Sequence, residues 1–181
     1  MKNYTLSSGL IIGFTAIVIS AVCYFMGVNA MVSGYNILIT VVAYVGLLLF
    51  FGFRYRAENG GYLSFKEAFV FIFFTSVIAT VISGLFTILL IHVINPGLEQ
   101  SLQDAIIQKS ISWMQYFGAP QEKIDQSIAQ MQSEPGKFTV ASQLKGIVLN
   151  FITLAILALI LGAIIKKTRP PFTNVTTPGQ P

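Results

Sequence analysis

From residue 3 to residue 53 the chain carries no lysine, arginine, aspartate or glutamate. A soluble fold of that length needs charged faces on its helices, opposite the apolar stripe that builds the core. This stretch has none, so its solvent must be hydrocarbon. The whole chain agrees. Only 10% of its residues are charged, against about 25% in ordinary soluble domains.

Four apolar runs follow one another at 10–28, 37–53, 68–94 and 146–165. A helix needs about 20 apolar residues to cross the ~30 Å core of a bilayer. Lipid offers no partner to backbone amides, so each run must close its hydrogen bonds within itself, as a helix. A transmembrane barrel would need alternating strands of about 10 residues, and the sequence has no such pattern. A removable leader is a poorer reading. Lys2 could open one and Val28-Asn29-Ala30 could be cut, yet the first run exceeds the usual apolar core of about 7–15 residues. A lipoprotein signal would want a small residue where Val22 precedes Cys23. Cys23 is the sole cysteine, which rules out an intrachain disulfide and leaves an inert side chain filling space.

The connections differ in kind. A short uncharged link with Asn29, Ser33, Gly34 and Asn36 joins the first two runs as a tight helical hairpin. The second link, 54–63, is basic and ends in Gly60-Gly61 and Tyr62. The third, 95–145, is the only long one. The tail 168–181, rich in Thr, Pro and Gly, is expected to be disordered. Ser64 and Glu67 are spaced as a capping box, so the third helix should open at Phe65. Running to Ile94, it would be about 45 Å long at ~1.5 Å per residue, longer than the membrane core, before Asn95-Pro96-Gly97 stops it.

Within 95–145 the residues Leu98, Leu102, Ile106, Trp113 and Phe117 recur near helical spacing. Gly118-Ala119-Pro120 breaks the pattern. Ile124, Ile128 and Met131 resume it until Ser133-Glu134-Pro135-Gly136. Two amphipathic helices are expected, packed on each other, on the bundle end or in the headgroup layer. Trp113, Tyr116 and Phe117 suit an interface.

Charge sets the orientation. With four crossings, Lys2, Arg54, Arg56, Lys66, Lys166, Lys167 and Arg169 share one side. Lys109, Lys123, Lys137 and Lys145 on the other side are offset by Glu99, Asp104, Glu122, Asp125 and Glu134. Dense basic flanks mark the cytoplasm. The expectation is an all-α, four-helix transmembrane bundle, residues 1–167, in a bacterial plasma membrane. Both termini would be cytoplasmic, with an extracytoplasmic helical hairpin between spans three and four. The net charge of +4 belongs to this topology signal and to anionic lipid, and nucleic acid is not an expected partner.

Several polar residues invite a role. Ser76, Thr80, Ser83, Gly84 and Thr87 mark one face of the third helix. Gly9, Gly13, Ala16 and Ser20 lie on the first, and Asn150, Thr153, Ala158 and Gly162 on the fourth. Close helix packing is the favoured reading, because small and hydroxylated residues let membrane helices approach. A polar path for a solute is the rival. Asn150 is costly in lipid unless paired and should face protein in an interhelical bond. His92, the only histidine, reads as interfacial, with a pH-sensing role as the sharper alternative. Arg54, Arg56, Tyr62 and Lys66 form a cytoplasmic anchor or partner surface. No phosphate loop, Gly-x-Ser-x-Gly or His-Glu-x-x-His occurs, and no charged residue lies deep in a span. Neither an enzyme nor a cofactor or metal site is expected.

One segment, Gly61-Tyr62-Leu63-Ser64-Phe65-Lys66-Glu67-Ala68-Phe69, followed by an apolar run and Asn95-Pro96, resembles an uncharacterised bacterial family. That family comprises four-span inner-membrane proteins classed as a domain of unknown function and common in Bacteroidetes. The resemblance implies location and topology over nearly the whole chain and supplies no activity. The leading expectation is a non-enzymatic accessory or scaffold protein that meets lipid, another envelope protein or itself. The alternative is a small oligomeric channel or transporter.

Overall fold

In a computed structural model, which describes residues 2–133 and 140–168, the chain is a helical bundle. Its elements are α1 (Lys2–Met26), the single turn α2 (Val28–Met31), α3 (Gly34–Glu58), α4 (Phe65–Leu89), α5 (Leu98–Tyr116), α6 (Gln121–Ser133) and α7 (Val140–Ile165). A π-helical turn, Leu90–Ile94, continues α4. Four helices are long and apolar enough to cross a membrane: Asn3–Met26, Gly34–Glu58, Phe65–Ile94 and Val140–Ile165. The protein is an all-α, multi-pass membrane protein. The expected turn at Ser133-Glu134-Pro135-Gly136 falls largely outside the described residues, as does the tail beyond Thr168.

Three helices outrun their apolar cores. α1 begins at Lys2, well before Leu10, because its polar first turns bond internally: Ser7 Oγ donates to the Asn3 carbonyl at 2.6 Å. α3 continues past Phe53 to Glu58, where Arg54 and Glu58 pair at 3.6 Å one turn apart. α7 starts at Val140 and projects a turn and a half beyond the run that opens at Gly146. Hydropathy marks where lipid is, and a helix need not stop there.

The link between α1 and α3 is tight, as expected, but it contains α2. Gly27 turns the chain at φ 101°, a conformation that favours glycine. Ser33 then caps α3 by accepting from the Asn36 amide at 3.1 Å. Asn36 donates from Nδ2 to the Met31 carbonyl at 2.9 Å, and its Oδ1 accepts from Cys23 Sγ at 3.1 Å. Cys23 is therefore more than filler, since its thiol ties α1 to the start of α3.

The capping box forms as read. Ser64 Oγ accepts from the Glu67 amide at 3.3 Å, and Glu67 Oε2 accepts from the Ser64 amide at 3.0 Å. Such a cap contributes about 1 kcal/mol. It starts the helix on which the bundle is centred.

α4 packs along α1 on one side and α7 on the other, and α3 touches all three. Glycines set the spacing. A Cβ on Gly9 would lie 2.8 Å from Ile78 Cβ, and one on Gly13 would lie 3.3 Å from Ala79 Cα. A Cβ on Gly162 would lie 3.2 Å from the Phe69 backbone nitrogen. Gly52 of α3 receives the tip of Ile165. Membrane helices associate through such close van der Waals fits, since lipid is as apolar as they are. Ile12, Leu48, Ile72, Ala79 and Ala158 are buried at the resulting centre. The small-residue reading of Gly9, Gly13, Ala158 and Gly162 is thus the one the fold uses.

α5 and α6 form, with the break at Gly118 (φ 71°). Leu98 and Leu102 bury themselves with Leu90 and Ile91, against Tyr24, Val28 and Met31. The start of α5 is thereby clamped to one end of the bundle. Its far end is not covered: Trp113, Tyr116 and Phe117 are all exposed.

Candidate functional site

At one end of the bundle four chain segments converge. Tyr4 of α1 stacks on Tyr55 of α3 at 5.7 Å, and Tyr55 stacks on Phe71 of α4 at 4.4 Å. Arg56 donates from Nη1 to the carbonyl of Ile165, at the end of α7, at 3.1 Å. Leu63 and Lys167 exchange both backbone hydrogen bonds, at 2.9 and 2.8 Å. Of the expected anchor residues, Arg56 and Tyr62 take part in this clasp, and Lys167 Nζ lies 5.6 Å over the Tyr62 ring. Arg54 and Lys66 point outward. Little that is local in the sequence points to the clasp, because Tyr4, Tyr55, Phe71 and Lys167 are far apart along the chain. The only local signal is aromatic density beside the basic residues.

Away from this end, an open groove of about 490 Å³ lies between α4 and α7. Thr80, Ser83, Gly84 and Thr87 form one wall, and Gly146, Ile147, Asn150 and Thr153 the other. Ile147 occupies the space a Gly84 side chain would need, with its Cδ1 2.6 Å from where that Cβ would be. The hydroxyls are satisfied within α4: Ser83 Oγ donates to the Thr80 carbonyl at 3.2 Å and Thr87 Oγ1 to the Ser83 carbonyl at 3.0 Å.

Two sequence expectations change here. Asn150 was expected to face protein and make an interhelical bond. It is exposed at the groove, and its side chain makes no hydrogen bond to another described residue. Ser76, grouped by sequence with Thr80 and Ser83, lies elsewhere. It is fully buried, its carbonyl accepting from the Tyr44 hydroxyl at 3.5 Å. Ser76 and Thr80 are a helical turn apart, yet Thr80 lines the groove while Ser76 is enclosed in the interior. The polar stripe is therefore divided between interior and groove.

His92 sits in the π-helical turn, half-buried, and its Nε2 is buried with no hydrogen-bond partner among the described residues. Nearby, Asn95 Nδ2 donates to the Tyr24 hydroxyl at 3.3 Å. Among the described residues no group of three or more His, Cys, Asp or Glu side chains is placed to hold a metal ion. At the far end of α5, Trp113 and Phe117 rings lie 5.8 Å apart, and Tyr116 meets Phe117 edge-on at 5.5 Å. A shallow cleft of about 450 Å³ beside them is lined by Lys109, Ser112, Trp113 and Tyr116.

No curated protein and no solved structure matches this chain. A family model described as "Protein of unknown function (DUF4199)" matches residues 7–167, from the second turn of α1 to the clasp at Lys167. The chain, with its four membrane helices, belongs to the DUF4199 family.

Proposed function

We propose that this protein is a non-enzymatic scaffold of the bacterial plasma membrane, with both termini cytoplasmic and α5–α6 facing outward to hold an envelope partner. One observation carries the reading. Trp113, Tyr116 and Phe117 are 55%, 85% and 72% exposed at the end of a helix whose start is locked to the bundle by Leu98 and Leu102. Rigid aromatic side chains on a fixed helix lose little entropy on docking and are the typical anchors of interfaces. The orientation is supported by charge. Arg54, Arg56, Lys66, Lys166 and Lys167 gather at the end of the bundle opposite α5, where cytoplasmic basic flanks belong.

The transport alternative draws less support. Ser76 is walled off from the groove, and the space between α1 and α3 holds about 10 Å³, at the lower limit of the about 10–15 Å³ that one water needs.

A photo-crosslinking amino acid at Trp113 or Tyr116, activated in native membranes, tests the reading. A discrete protein adduct is expected from both positions. Combining either probe with Phe117→Ala should reduce the yield roughly tenfold or more, as removal of an interface anchor does. Capture of lipid alone from both positions would end the scaffold reading.

A further inference from the structure

The groove between α4 and α7 presents a physical problem that the isolated chain does not solve. Asn150 lies a full turn inside the apolar run that opens at Gly146, exposed and with no side-chain bond to any described residue. Hydrocarbon offers that group neither donor nor acceptor, and leaving it unsatisfied there is costly. Ser83 and Thr87 opposite have already given their hydroxyl protons to carbonyls of α4, so they have no donor left for the amide oxygen. The Asn150 carboxamide oxygen is left to find its donor outside the groove wall.

We propose that this donor is the Asn150 of a second copy, and that the groove is the seam of a two-fold symmetric dimer. A carboxamide carries both donors and an acceptor, so it is complementary to itself. A two-fold axis places the same residue against itself, and two such amides then satisfy each other reciprocally. The surroundings fit this occupant. Gly146, Leu149, Asn150 and Thr153 recur at the three- and four-residue spacing that puts them on one side of α7. Gly146 adds no bulk, and nothing lies within 4 Å of where its Cβ would be, so a second α7 can come close. Leu149 is exposed beside the amide and has room in the groove of the partner. A solute or lipid would not need this self-matching geometry. The seam lies on a different part of the molecule from Trp113 and does not depend on the reading of α5.

Single cysteines in a Cys23→Ser background test the seam by oxidative crosslinking in native membranes. Thr153→Cys is expected to give a disulfide-linked dimer. Val148→Cys, exposed nearly opposite Asn150 on the same helix, should give little. Adding Asn150→Leu to Thr153→Cys should lower the dimer fraction roughly tenfold, and Asn150→Gln should restore much of it. Leucine belongs in lipid, so the monomer should still insert and accumulate. The proposal is overturned if Thr153→Cys stays monomeric. It is equally overturned if Val148→Cys crosslinks as well, or if Asn150→Leu leaves the dimer intact. Photo-crosslinks from position 153 that reach only lipid, or only a different protein, would also overturn it.

Discussion

Replacing Gly9 by leucine should force α1 away from α4 and destabilise the bundle by about 3 kcal/mol, the upper range for overpacking. The first added atom already falls 2.8 Å from Ile78 Cβ and Cγ2 and 3.1 Å from the Thr75 carbonyl oxygen. Neither neighbour can step aside, since one is anchored at its own backbone and the other is backbone. The rest of the leucine would push the helices apart over the whole Gly9–Gly13 contact. In a membrane this loss is not recovered by burial, because helix and lipid are equally apolar and contact quality is most of what holds the pair. Gly46→Leu in α3 is the matched control. A Cβ there meets nothing within 4 Å, so stability should change by less than about 0.5 kcal/mol, as for surface substitutions. Unfolding in mixed micelles, titrated with denaturing detergent, reads both. Equal effects from the two substitutions would mean that glycine at position 9 does not set the α1–α4 distance.

The second large effect is expected at Arg56. The last carbonyls of a helix lack partners within it, and a cation there also meets the negative end of the helix dipole. Arg56 supplies both to α7 through its bond to Ile165, at 3.1 Å, while its guanidinium lies 5.0 Å from the Phe53 ring. Arg56→Ala should cost about 1.5–3 kcal/mol, the range for a hydrogen bond to a charged group. It should also loosen the Leu63–Lys167 pairing that follows immediately after the helix. Faster amide exchange at Leu63 and Lys167 is the measurement. Arg56→Lys keeps the charge but lacks the planar fork and should fall between the two. Unchanged exchange in Arg56→Ala would show that the clasp is held by its backbone bonds alone.

What was legible in the sequence was what solvent and local bonding dictate. The four crossings are read directly from the runs without charge, since hydrocarbon tolerates little else. The start of α4 was legible because Ser64 and Glu67 sit three residues apart and need no distant partner. The start of α1 and the end of α3 were not legible, because Tyr4 and Tyr55 there are held by stacking across the bundle rather than by lipid. Asn150 shows the limit most clearly. Its polarity in a span tells that it must be satisfied, but the direction it faces depends on how α7 rotates against α4. That rotation is fixed by Gly162 meeting the backbone of Phe69 and by Ile147 over Gly84, contacts between residues far apart in sequence. Ser76 parted from Thr80 for the same reason.

The most direct test is the sidedness of the loops in intact cells. With Cys23 replaced by serine, single cysteines at Asn59, Ser112 and Lys166 are treated with a membrane-impermeant maleimide before and after permeabilisation. Ser112→Cys should react in intact cells, whereas Asn59→Cys and Lys166→Cys should react only once the membrane is opened. Reaction of Asn59→Cys and Ser112→Cys from the same side would mean that α4 does not cross, and the four-span bundle would be wrong.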